Sequence, residues 1–187
     1  MHISTKLLSA ISLLSAFSNL HALTVDESVS GDLSGSFSNP DAFTLNLGIN
    51  TVIGEIGANG NTGATDGTDA DYFTFTVDPG LELTSINIDA YTPASGNNGS
   101  GSFFAYTIGD SFSGQGIGDI AGNLIFSASS GEVLDDLQQG SSTPLAAGDY
   151  SFWLQETGST TVDYQISFTT AVVPEPSTPY GQPWPVA

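Results

Sequence analysis

Apolar residues in this chain alternate with polar ones far more often than they recur at helical spacing. Phe73, Phe75 and Val77 interleave with Tyr72, Thr74 and Thr76, a period of two that places three large apolar groups on one face of a strand. Asp78-Pro79-Gly80 then turns the chain. Leu81 and Leu83 keep the alternation, but the apolar set resumes at Ile86, Ile88 and Ala90, one residue out of phase. That slip predicts a β-bulge near Thr84-Ser85. The pattern returns where Tyr150, Phe152 and Leu154 share a face, Thr157-Gly158-Ser159 turns, and Val162, Tyr164, Ile166 and Phe168 come back. Both stretches read as hairpins.

Weaker strands fill the remainder. Phe43, Leu45 and Leu47 alternate, and further extended runs cover Thr51 to Ile56, Phe103 to Ile108 and Leu124 to Ala128. The Gly-, Ser- and Asn-rich stretches 94–102 and 109–122 carry neither period and read as loops. Only Glu132 to Gln139 suggests helix, of one or two turns. Many short strands separated by turn residues predict an all-β fold, an antiparallel β-sandwich of the jelly-roll type, over residues 23–171.

The two ends differ from this body. Residues 1–22 have a positive start at Lys6, an apolar run from Leu7 to Phe17 and a small residue at Ala22, the layout of a signal peptide cleaved after Ala22 by signal peptidase. A membrane span needs about 20 predominantly apolar residues, and this run is too short. Residues 172–187 form a Pro-rich tail, with five prolines among the last fifteen residues. Such a tail favours an extended stalk and offers no stable membrane anchor. An extracellular or cell-surface protein is the expectation, and one without a single cysteine to cross-link it.

Charge narrows the chemistry. Lys6 is the only Lys or Arg, and His2 and His21 both lie in the leader, so residues 23–187 carry twenty carboxylates, no cationic side chain and a formal charge of −20. Without His or Lys no Ser or Thr can be activated in the usual way, and zinc sites built on imidazole or thiolate are excluded. Nucleic acid is excluded as a partner, because no cation is present to meet phosphate. Paired carboxylates are what remains for catalysis, as in a carboxylate-only glycoside hydrolase. A non-enzymatic protein is the expectation.

Two resemblances add to this reading. Val173-Pro174-Glu175-Pro176-Ser177-Thr178 resembles the sorting motif of PEP-CTERM proteins, exported bacterial proteins processed by an exosortase and tied to extracellular polysaccharide or biofilm. The apolar helix and basic cluster that follow the motif in that family are not found in Pro179 to Ala187. Asp69-Ala70-Asp71-Tyr72-Phe73-Thr74-Phe75, with Ala147-Gly148-Asp149-Tyr150-Ser151-Phe152 and Tyr164-Gln165-Ile166-Ser167-Phe168, is similar to bacterial pre-peptidase C-terminal domains. That resemblance implies a small accessory β-sandwich of secreted proteins, in some cases holding calcium.

Two candidate sites emerge. Asp66, Asp69 and Asp71 put three carboxylates into six residues where a Gly-rich loop enters a strand, an oxygen-rich set suited to calcium; the alternative is solvated Asx turns. Asp110, Asp119, Asp135 and Asp136 read as solvated loop acids. Trp153 alternates out of the apolar face of its strand, and with Tyr72 it would make a carbohydrate-stacking pair; the alternative is that Trp153 covers the sheet under a loop or meets a neighbouring chain. The expectation is a secreted or cell-surface component of an extracellular matrix or biofilm, with polysaccharide or other matrix proteins as partners. A carbohydrate-binding module and a carboxylate-only glycoside hydrolase are the alternatives.

Overall fold

The computed structural model describes residues 22–57, 69–94, 101–141, 143–158 and 160–175. The leader, Asp66 and Pro176 to Thr178 of the sorting motif lie outside them. Among the described residues nine strands follow in order: β1 (Thr24–Asp26), β2 (Asp41–Thr44), β3 (Gly48–Gly57), β4 (Ala70–Val77), β5 (Leu81–Pro93), β6 (Ser102–Ile108), β7 (Gly122–Phe126), β8 (Gly148–Gln155) and β9 (Thr161–Val172). Two single-turn helices, α1 (Glu27–Ser30) and α2 (Leu134–Leu137), and a 3₁₀ turn at Ile117–Asp119 complete the set. Among the described residues no helix is long and apolar enough to cross a membrane.

The strands form two sheets, ordered β1-β3-β9-β5 and β2-β4-β8-β6-β7. An all-β sandwich is therefore what the alternating pattern encodes. Its interior is an aromatic lattice. Phe73, Phe75 and Phe152 project from the five-stranded sheet and Phe168 from the four-stranded one, all fully buried. Phe168 lies edge-on to Phe75 at 4.8 Å and to Phe152 at 5.2 Å between centroids, the arrangement favoured by the ring quadrupoles.

Several expectations need correction. Neither expected hairpin exists: β4 and β5 lie in opposite sheets, as do β8 and β9. The chain thus crosses the core after β4, at Asp78-Pro79-Gly80, and again after β8, and β5 and β9 pair with each other instead. Alternation cannot separate the two cases, because a hairpin and a sheet-to-sheet arch both bury every second residue of both strands. The sandwich is not wholly antiparallel either, since the short strands β1 and β2 run parallel to β3 and β4. The bulge between Leu83 and Ser85 occurs as expected, and a second slip lies between Ile88 and Ala90. Leu47 falls outside β2 and is exposed, because β2 ends at Thr44.

Candidate functional site

One carboxylate is built into the core. Asp71 shares the parity of Phe73, Phe75 and Val77 on β4, so its side chain points between the sheets and is fully buried. Tyr164 faces it from β9, where it shares the core face with the buried Val162 and Ile166. The Tyr164 hydroxyl donates to Asp71 Oδ2 at 2.6 Å, while Asp71 Oδ1 has no hydrogen-bond partner.

Two further acids arrive from the N-terminal segment. β1 pairs with β3 and ends at Asp26, whose carboxylate caps α1 by accepting from the Ser28 backbone N–H at 2.9 Å. The next residue, Glu27, turns inward. Its Oε1 accepts the Leu33 N–H at 2.8 Å and its Oε2 the Glu55 N–H at 2.7 Å, so the side chain staples the segment to β3. Asp32 approaches from the loop that follows. One carboxylate oxygen each from Glu27, Asp32 and Asp71 lies within 4.8 Å of the others.

Burial and mutual repulsion set the electrostatics. Burial pushes the Asp71 carboxyl well above the usual carboxylate range and the Glu27 charge adds to this, while the Tyr164 hydrogen bond works against it. Burial also raises Glu27, against its two amide hydrogen bonds and with Asp32 and Glu55 adding. Tyr164 is raised well above the ordinary tyrosine value, by burial first and the Asp71 charge second. No Lys, Arg or His occurs from residue 22 onward to offset any of this. Beside the cluster opens a cleft of about 510 Å³ lined by Asp26, Glu27, Asp32, Glu55 and Asp163, among others.

Glu156 shows how this fold treats a buried carboxylate kept for structure. Its Oε1 accepts the Gly158 N–H at 2.7 Å, and its Oε2 takes the hydroxyls of Ser102 and, at 3.4 Å, Tyr91. Both oxygens are satisfied. Asp71 Oδ1 is not, and the Asp71 carboxylate groups with two more, an arrangement suited to a hard divalent cation; calcium–oxygen bonds of about 2.3–2.6 Å would bridge a cluster of this span. An unpaired buried acceptor otherwise costs about 1–3 kcal/mol.

The site residues expected from sequence are thus partly redistributed. Asp71 belongs to a strand, not to a ligand-bearing loop. Asp69, just before it, exchanges backbone hydrogen bonds with Gly57 and is mostly buried, and its charge adds to the repulsion on Asp71. Asp66 lies outside the described residues. The partners that Asp71 does meet, Glu27 and Asp32, were not singled out in the sequence. Their one signal is the density of acids in Asp26-Glu27 and Asp32, and it gives no hint that a parallel edge strand carries them to β4.

The aromatic pair is adjacent, yet closed. Tyr72 and Trp153 stack at 5.5 Å and 23°, paired across β4 and β8 on the outer face of the five-stranded sheet. Phe103 and Phe112 pack edge-on to Trp153, Phe37 edge-on to Tyr72, and Gln115 Nε2 donates to the Tyr72 hydroxyl at 2.7 Å. Trp153 is 8% exposed and Tyr72 1%. Of the two readings of Trp153 the structure has the covered one: the rings are no open stacking platform and anchor a second small core beneath segments 34–40 and 109–121. In the sorting motif, Val173, Pro174 and Glu175 follow β9 on the surface. No model of a known protein family matches this chain, and no curated protein matches it.

Proposed function

We propose that this chain is a non-enzymatic, exported β-sandwich of the cell surface or extracellular matrix, in which Glu27, Asp32 and Asp71 hold a calcium ion that fastens the N-terminal segment to the sandwich. The observation that carries the reading is the unpartnered Oδ1 of the fully buried Asp71, whose carboxylate groups with two more in a chain with no cationic side chain after residue 21. The signal-peptide layout of residues 1–22 and the PEP-CTERM-like Val173 to Thr178 support export and surface sorting, with matrix polysaccharide or other matrix proteins as partners.

Closely grouped acids argue against hydrolysis. Glycosidase pairs stand about 5–9.5 Å apart with a free acid and a free base or nucleophile, whereas these oxygens lie closer and both of Glu27's are occupied by backbone amides. The carbohydrate-binding alternative is weakened by the burial of Trp153.

Melting the protein in calcium, in magnesium and in chelator at one ionic strength tests the reading. Calcium at 100 times its dissociation constant is expected to stabilise folding by about 2.7 kcal/mol, with a smaller effect of magnesium. Identical melting in all three removes the ion from the proposal.

A further inference from the structure

On the calcium reading above, we infer that Gly54 and Tyr164 are the positioning residues of the site: Gly54 leaves the opening through which Glu27 reaches Asp71, and Tyr164 turns the Asp71 carboxyl so that Oδ1 faces the ion. Gly54 occupies a core-facing position of β3, between the fully buried Val52 and Ile56 and directly across the ladder from Tyr164. Glycine at such a position weakens a strand unless something must approach its backbone closely. Here something does. A Cβ on residue 54 would stand 2.5 Å from Glu27 Oε2 and 2.6 Å from the Tyr164 hydroxyl oxygen, nearer than either atom tolerates.

The requirement is for space, since Gly54 is not among the glycines with positive φ and alanine fits its backbone. The Glu27 carboxylate therefore fills the place where β3 omits a side chain, held by the Leu33 and Glu55 amides. Tyr164 does the complementary job on the opposite side. Its hydroxyl engages Oδ2 alone, which fixes the rotation of the carboxyl and leaves Oδ1 without a protein partner.

Calcium chloride titrations and paired melts of the full exported chain test this. Wild type, Gly54→Ala, Tyr164→Phe and Gly118→Ala are compared, the last because a Cβ there meets nothing within 4 Å. Gly54→Ala is expected to keep its β-sheet circular dichroism in chelator while binding calcium at least tenfold more weakly. Tyr164→Phe weakens binding in the same direction, and Gly118→Ala leaves it unchanged. In the Gly54→Ala/Glu27→Ala double variant the loss of affinity should be smaller than the sum of the two single losses, because the added methyl acts in part by displacing the Glu27 carboxylate and in part through the Tyr164 hydroxyl. A merely structural glycine would shift melting equally with and without calcium and show no such coupling. Wild-type affinity in folded Gly54→Ala overturns the inference while the calcium reading stands, and so, where Gly54→Ala fails to fold, does wild-type affinity in Tyr164→Phe. A wild-type chain indifferent to calcium overturns the reading on which the inference rests.

Discussion

At the scale of single residues, two buried carboxylates define what this fold can and cannot absorb. Glu156 has donors on both oxygens, so Glu156→Ala takes the acceptor from the Gly158 N–H and leaves the Ser102–Tyr91 hydroxyl pair one acceptor short, and is expected to cost about 1–3 kcal/mol, with or without calcium. Asp71→Asn is expected to behave oppositely. It removes one charge from a group of three and puts an N–H₂ donor among acceptors, so the variant should melt higher than wild type in chelator and lose its calcium response. A lower melting point in chelator would mean that the three charges do not repel as the geometry requires. Phe152→Ala, at the centre of the aromatic lattice, should cost about 3–5 kcal/mol. Thr74 lies on the outer face of β4, where alternation alone makes it a harmless surface position. Its hydroxyl is nevertheless buried against Ser151 Oγ at 2.7 Å and donates to the Asp110 carbonyl at 3.0 Å, which raises the expected cost of Thr74→Ala to about 1–2 kcal/mol by urea melts.

At the scale of elements, period-two alternation made the strands legible and left their partners illegible. The Phe73 and Phe152 strands, the return strand through Phe168 and the bulge near Thr84 can all be read from residues, because burying one face of a sheet demands that spacing. Pairing is another matter. Nothing local distinguishes β4 folding back on itself from β4 crossing the core, and nothing local announces that β1 adds in parallel to β3. The candidate metal site inherits both difficulties. Asp71 was visible as an acid beside a strand, but its neighbours depend on β1 docking and on Tyr164 standing opposite in the other sheet. The outer face of β8 illustrates the converse, since alternation turned Trp153 correctly away from the core but could not decide between an open platform and a covering loop. Trp153 observed alone in a Trp184→Phe variant is therefore expected to emit at the blue end of the tryptophan range and to resist iodide quenching. Red-shifted, readily quenched emission would reopen the stacking surface.

At the scale of the whole molecule, a chain with twenty carboxylates and no cation beyond its leader folds against its own charge. Raising the pH should bring this to a limit through the phenols. Burial raises Tyr91, Tyr106 and Tyr150 above the ordinary tyrosine value of 10.0, and Tyr164 is raised well above it by burial and by the Asp71 charge. A group whose folded pKa exceeds its unfolded value contributes stability that is complete below the unfolded pKa and is lost as pH climbs through the folded one. Four such groups act in the same direction, and each phenolate would add a negative charge to a molecule already crowded with them. The raised Asp71 and Glu27 carboxyls follow the same rule at lower pH, where calcium would offset them; above that range stability is expected to hold up to about pH 10 and to fall steeply beyond it. The phenolate absorbance at 295 nm should then rise together with the loss of β-sheet circular dichroism, as one cooperative step, and added sodium chloride should move that step upward by screening the repulsion. Gradual ionisation of all the tyrosines near pH 10, with the circular dichroism intact, would show that these rings are wetter than the packing between the sheets allows.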